Sequence, residues 1–351
     1  MHHSKQLDSL RFIAVFMVLI EHFAHALGSR ISAGYFGVDL FFVISGFLIT
    51  KILLNSKSGF RESYKNFMGR RALRILPIYL LVVLILFLIG DTYIKAYLPY
   101  SLTFTFNYAM VFFKLPSNAI THFWTLCIEE QFYFFWPLLV LPMRRYRKWL
   151  IAFVIFFLIF CYGQFYFKWV ESLVMYRWVG LVPRCFALLI GALGAMMFSE
   201  KMIRHPFFTA QKIEWLLLII LSFFLLTNSS FKFIIIPLVC LYFVLKCYYS
   251  VFCFRPLDNF LNKGSVVYLG SISYGIYLFH LPLYYYLNTY FFMPYCWDQI
   301  HFKEWGRFVF LENYAWAIQF PLFSVMSILL AALSYRYFET PFLKLKDRYF
   351  S

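Results

Sequence analysis

The sequence predicts an all-α, polytopic transmembrane helical bundle: residues 1–351 form a single integral membrane domain of about ten spans, with both termini cytoplasmic. Three observations predict it. Hydrophobic residues make up 62% of the chain and charged residues 14%, with a mean hydropathy of +0.71, too apolar for a soluble domain. Windows of roughly 20 apolar residues, the length that crosses a hydrocarbon core of about 30 Å, recur along the chain. Lys and Arg gather in alternate connections, as they do in cytoplasmic loops.

The windows are 10–27, 34–54, 73–90, 122–141, 149–167, 174–197, 214–228, 233–248, 266–288 and 317–338. A further run, YLPYSLTFTFNYAMVFFK at 97–114, is resolved by charge. The connection after the second window carries Lys51, Lys57, Arg61, Lys65, Arg70, Arg71 and Arg74, and the next basic connection is RRYRK at 144–148. Both are cytoplasmic only if 97–114 does not cross. Its Tyr, Ser, Thr and Asn residues suit an interfacial or re-entrant piece whose backbone is satisfied by protein. With that choice the inside segments carry 21 Lys/Arg and the outside segments eight; Arg11, Arg184 and Arg336 lie within spans and complete the 32. The excess of 32 Lys+Arg over 16 Asp+Glu is therefore a topology signal rather than a nucleic-acid surface.

The first apolar run leads through Gly28, Ser29 and Arg30 into another, so it is expected to remain as an anchor rather than be cleaved. Cys127, Cys161, Cys185, Cys240, Cys247, Cys253 and Cys296 are scattered without a C-x-x-C pair, which predicts neither a disulfide framework nor a metal site. No internal repeat is visible, which argues against an inverted-repeat transporter.

Polar residues inside the apolar windows point to chemistry. LDSLRFIAVFMVLIEHFAHAL (7–27) carries Arg11, Glu21, His22 and His25, although an ionisable group in hydrocarbon costs about 2.5–3.5 kcal/mol on the mildest scale. His22 follows Arg11 by eleven residues, a rise of about 16 Å and about 20° short of three full turns, so the two share a helix face. Counting from the span ends puts His22, Asp39, Glu129 or Glu130, and His280 in one outer layer, roughly 8–12 Å below the surface. Arg11, Arg70, Arg71, Arg74 and Arg336 gather on the inner side, and Arg184, deep in the sixth window, requires a carboxylate partner.

A histidine beside a carboxylate is suited to general-base work on a hydroxyl. Guanidinium groups on the opposite side suit a phosphate-bearing ligand. A donor with an anionic head and a long thin arm matches that layout, and acyl-CoA has that shape. The competing reading is a proton-coupled secondary transporter of a small solute, with the same His, Asp and Glu residues as a proton relay. Ser45 and Ser273 are the hydroxyls available to a covalent relay, although small residues at helix contacts commonly serve packing alone.

Six stretches carry a resemblance across nearly the whole chain: LDSLRFIAVFMVLIEH (7–22), GYFGVDLFFVISGFLIT (34–50), RRALRILPIY (70–79), HFWTLCIEEQFYFFWPLL (122–139), SISYGIYLFHLPL (271–283) and SYRYFETPFLKLK (334–346). In this order they are similar to the signatures of acyltransferase family 3, membrane-bound enzymes that O-acylate bacterial surface glycans and other extracytoplasmic or lipid-linked acceptors. The resemblance implies that His22 is the base and that Arg11 supports it or the donor. It also implies that Arg70, Arg71 and Arg74 help bind acyl-CoA, most simply acetyl-CoA, with no metal. The acceptor it implies is a surface polysaccharide or lipid-linked glycan such as lipopolysaccharide O-antigen, and the location a bacterial inner membrane. Glu129, Glu130 and Asp39 are the carboxylates that could orient His22. Larger members carry a C-terminal SGNH hydrolase-like domain, whereas this sequence ends at Ser351. A stand-alone form is therefore expected, in which a separate periplasmic transferase supplies that step or the acceptor reaches the membrane domain directly; a homo-oligomer is also compatible.

Overall fold

A computed structural model describes residues 4–166, 174–227, 229, 231–252, 254–290 and 316–350, and the regular structure among those residues is helical with no strand. Cys253 and Cys296 lie outside the described residues, as do Lys168, Lys303 and Arg307, three of the eight basic residues assigned to the outside segments, and the side chain of His25. Every apolar window falls on a helix. These are α1 (Lys5–Phe23), α2 (Ala33–Leu54), α3 (Phe60–Leu88), α4 (Phe123–Met143), α5 (Arg147–Tyr166), α6 (Leu181–Met197), α7 (Gln211–Leu226) and α8 (Lys232–Tyr249), then the pair α9 (Gly264–Ser271) and α10 (Ser273–Leu287), and α11 (Trp316–Ser334).

Five described stretches are long and apolar enough to cross a membrane: Ala33–Leu54, Phe60–Leu88, Met175–Met197, Lys232–Tyr249 and Trp316–Tyr349. The bent pair Gly264–Ser271 and Ser273–Tyr290, which meets at 64°, makes a sixth if it is one span. Fewer helices than the ten windows thus meet that standard. The reason is physical: α1 holds Lys5, Asp8, Arg11 and Glu21 in 19 residues, and α7 is only 16 residues long. The chain is an integral membrane protein.

The 97–114 run is broken into Leu98–Leu102 and Phe106–Phe113, and even the longer piece, eight residues, rises only about 12 Å. Phe104 at the break has φ 53°. Side chains take up the interrupted backbone groups: Gln131 Nε2 donates to the Phe104 carbonyl (2.7 Å) and to Asn107 Oδ1 (3.0 Å), and the Tyr79 hydroxyl donates to the Ser101 carbonyl (2.9 Å). Irregular backbone at membrane depth persists only with such partners.

The arginines expected in a loop after the second window instead stand on α3, which starts at Phe60. At 29 residues it is about 43 Å long, longer than the hydrocarbon core. RRALRIL consists mainly of good helix formers, so the helix continues through this charged stretch.

At the centre, α2 packs between α1 and α6. A Cβ at Gly46 would run into the Leu188 carbonyl, and one at Gly191 into the Val43 carbonyl, so each glycine lets the backbone of the other helix come into contact. Gly46→Val is expected to destabilise the protein by about 1–3 kcal/mol through overpacking. A lowered Tm in detergent checks this, with Gly264→Ala, which has open space around it, unchanged.

Candidate active site

Two cavities lie along α1. The first, with an empty volume of about 750 Å³, is lined by Arg11, Ser45, Arg71, Arg74, Glu129 and Tyr133 among others. The second, about 1080 Å³, is lined by Glu21, His22, Tyr35, His122, Trp124, Arg184 and Lys232 among others. Val38 and Tyr277 line both. The eleven-residue spacing on α1 therefore puts Arg11 in one cavity and His22 in the other.

In the arginine cavity, Arg11 Nη1 pairs with Asp8 Oδ1 at 2.5 Å, one turn earlier on α1. The Arg71 guanidinium lies 4.8 Å from the Tyr133 ring centroid and 5.8 Å from that of Phe67. Arg74 completes the wall, whereas Arg70 does not line it, and Arg336 is exposed against Tyr337. No ion pair reaches Arg71 or Arg74 among the described residues, so their donors can serve an anion. Glu129, not Glu130, lines this cavity, because adjacent helical residues differ by about 100°. Ser45 Oγ donates to Glu129 Oε1 (2.8 Å) and accepts from the Tyr133 hydroxyl (3.3 Å). The structure thus brings Glu129 to the arginines and to Ser45.

The histidine cavity is organised by a proline. Pro282 in α10 has no N–H, so the Leu278 carbonyl lacks its helical donor. His122 Nε2, from the start of α4, donates to that carbonyl at 3.2 Å. The contact draws α4 onto α10 and sets the His122 and His280 rings 4.9 Å apart. His280 Nε2 meets His22 Nδ1 at 3.0 Å, and His280 Nδ1 donates to the Tyr277 carbonyl. His122 was not singled out from the sequence. Its available signal was the proline itself, whose orphaned carbonyl needs a donor from another helix. His280 sits two residues before Pro282 and bonds a different carbonyl.

Asp39 is engaged by Arg184 at 3.1 Å, with both side chains buried. The guanidinium is boxed by Tyr35 (4.9 Å), Trp124 (5.3 Å) and Phe42 (5.8 Å). This is the carboxylate that Arg184 required. Asp39 Oδ2 and Arg184 Nε have no hydrogen-bond partner, so the pair is monodentate. Glu21 Oε2 accepts from the Gly34 amide (3.0 Å) and ties α1 to the start of α2. Of the sequence candidates, the structure brings His22 to His280, Glu129 to the arginines, and Asp39 to Arg184.

Fold and site together define an integral membrane helical protein in which a guanidinium-lined cavity and an imidazole-lined cavity meet at a shared wall. The chain belongs to acyltransferase family 3: the family model described as an acyltransferase domain matches residues 4–336. It is similar to YrhL of Bacillus subtilis (strain 168), provisionally named a peptidoglycan O-acetyltransferase, with 29% identity over 95% of this chain and 54% of that protein. It is also similar to SAS0844 of Staphylococcus aureus (strain MSSA476), provisionally named an O-acetyltransferase, with 27% identity over 98% of this chain and 58% of that protein. The peptidoglycan O-acetyltransferase OatA of Listeria monocytogenes is 34% identical over 40% of this chain and 25% of its own length. The chain thus spans little more than half the length of the first two relatives. No solved structure matches it.

Proposed function

We propose that this chain is a ten-span O-acyltransferase of a bacterial cytoplasmic membrane, with both termini inside, that moves an acyl group from cytoplasmic acyl-CoA to a glycan hydroxyl. Acetyl is the simplest group. The observation that carries the reading is the shared wall of Val38 and Tyr277 between the guanidinium and imidazole cavities. The charged head of the donor would sit among Arg11, Arg71 and Arg74, and its thioester would reach the wall. The relatives' names favour a cell-wall glycan such as peptidoglycan over lipopolysaccharide O-antigen as acceptor.

In the direct reaction a nitrogen of His22 takes the proton of the acceptor hydroxyl. The oxygen attacks the thioester carbonyl carbon, the C–S bond breaks, and the proton passes to the departing thiolate, giving an ester and free CoA. In the alternative, a covalent relay, Ser45 Oγ, hydrogen-bonded to Glu129, first displaces the thiolate, which leaves with the serine proton; the acceptor hydroxyl then displaces the serine oxygen from the acyl-serine ester and returns a proton to it.

Protein purified into liposomes with acyl-CoA and a glycan acceptor tests the reading. Turnover of the thioester is expected. Arg71→Ala and Arg74→Ala are each expected to raise KM for acyl-CoA about tenfold or more, the worth of one charge-assisted hydrogen bond. Arg70→Ala, whose side chain does not line the cavity, is expected to do less. Proton-coupled solute uptake without any acyl chemistry would favour the transporter instead.

A further inference from the structure

We propose that His280 is a positioning residue that fixes the tautomer of His22, leaving the lone pair of His22 on Nε2; this rests on the acyltransferase reading above. The argument runs from a carbonyl. The Tyr277 oxygen can only accept, so the His280 nitrogen that meets it, Nδ1, carries a proton. His280 is fully buried, with Phe23 and Tyr277 rings at 6.1 and 5.4 Å, and burial among such neighbours favours the neutral ring. A neutral imidazole with its proton on Nδ1 has its lone pair on Nε2. That nitrogen faces His22 Nδ1 at 3.0 Å, so His22 Nδ1 must be the donor.

A neutral His22 then has its lone pair on Nε2, the nitrogen not engaged by His280, on a ring that lines the histidine cavity. This is what a general base for a hydroxyl requires. Once His22 takes a proton, the same His280 acceptor holds the imidazolium by a charge-assisted hydrogen bond. The chain of contacts, Tyr277 carbonyl to His280 to His22, supplies from a backbone oxygen and a second imidazole the orientation that a carboxylate supplies elsewhere. His122 packs against the His280 ring, centroids 4.9 Å apart, and is itself held by the Leu278 carbonyl that Pro282 leaves open. Two carbonyls one residue apart on α10 thus anchor two histidines.

Packing and positioning are separated by side-chain length. In His280→Gln the side-chain oxygen reaches the level of Nε2 and still accepts from His22 Nδ1. In His280→Asn the amide ends near the level of Nδ1 and falls short, and His280→Leu offers no acceptor. With full-length protein in liposomes, Leu and Asn are expected to lower kcat about a hundredfold or more, with KM for acyl-CoA within about twofold of wild type. Gln is expected to stay within about tenfold of wild-type kcat. Thermal unfolding in detergent identifies the variants that fold, and if Leu does not, the Gln and Asn pair carries the comparison. The proposal is overturned if folded Asn or Leu protein turns over at the wild-type rate, or if folded Gln protein is as slow as Asn. Wild-type protein without thioester turnover would instead defeat the acyltransferase reading, whereas loss of turnover in His22→Ala with His280→Asn unaffected would defeat this inference alone.

Discussion

His22→Ala is expected to lower acyl transfer about 10²- to 10⁴-fold, the usual contribution of a positioned general base, while leaving KM for acyl-CoA close to wild type. The two cavities predict that separation. The guanidinium groups that would hold the donor lie beside Arg11, eleven residues and about 16 Å along α1 from His22, so truncating the imidazole does not disturb them. The same change leaves the buried His280 Nε2 without the His22 contact, and an unsatisfied buried acceptor costs about 1–3 kcal/mol of stability. His22→Asn, whose amide stands near the level of Nδ1 and can still donate to His280 but cannot act as a base at neutral pH, therefore belongs beside it. Both variants are expected to show the same loss of activity, with Asn the more stable. Steady-state rates from acyl-CoA together with the Tm in detergent check both halves. Ester formation at the wild-type rate in either variant would remove His22 from the chemistry.

The second large effect concerns stability. In Asp39→Ala the Arg184 guanidinium stays buried, its side chain 4% exposed, without its carboxylate. Breaking a buried pair by removing one partner costs about 3–5 kcal/mol, because the remaining charge is uncompensated. The cation–π contacts of Arg184 with Tyr35, Trp124 and Phe42 soften this loss but cannot replace a counter-charge. A steep fall in Tm and in the yield of folded protein is expected. The double variant Asp39→Ala with Arg184→Leu should recover much of the loss, since an apolar side chain suits the aromatic box once both charges are gone. Failure of the double variant to exceed the single one would show that the pair serves more than charge balance. Because Arg184 also lines the histidine cavity, transfer activity in the recovered double variant measures how far that guanidinium acts on the acceptor side.

How much of this was legible in the sequence depends on the residue. Arg11 and His22 were legible because one helix carries both, and a rise of about 1.5 Å per residue with about 100° of rotation fixes their separation and shared face without any neighbour. The interruption in 97–114 was legible from charge, since only a non-crossing segment kept both basic connections on one side. Arg71 and Arg74 were named from their charge, but their position on a helix rather than in a loop was missed, because a basic stretch is read as a connection even when its residues favour helix. Glu129 and Glu130 could not be separated from spacing alone. His280 was placed in one layer with His22, which it meets, but Asp39 and Glu129 were placed there as well, because depth was counted along separate helices and depth says nothing about which faces meet.

The sequence by itself determined an apolar, helical, membrane-embedded chain, its broad family, and the face of α1 that bears an arginine and a histidine. Those properties follow from composition, charge distribution and the geometry of single helices. The tertiary structure alone decided that Glu129 joins the arginines, that Asp39 neutralises Arg184, and that the carbonyl left open by Pro282 takes His122 while His280 turns to His22. Such pairings depend on helix rotation and on contacts as close as those of Gly46 with Leu188 and of Gly191 with Val43, where two backbones from distant parts of the chain approach because each glycine lacks a side chain.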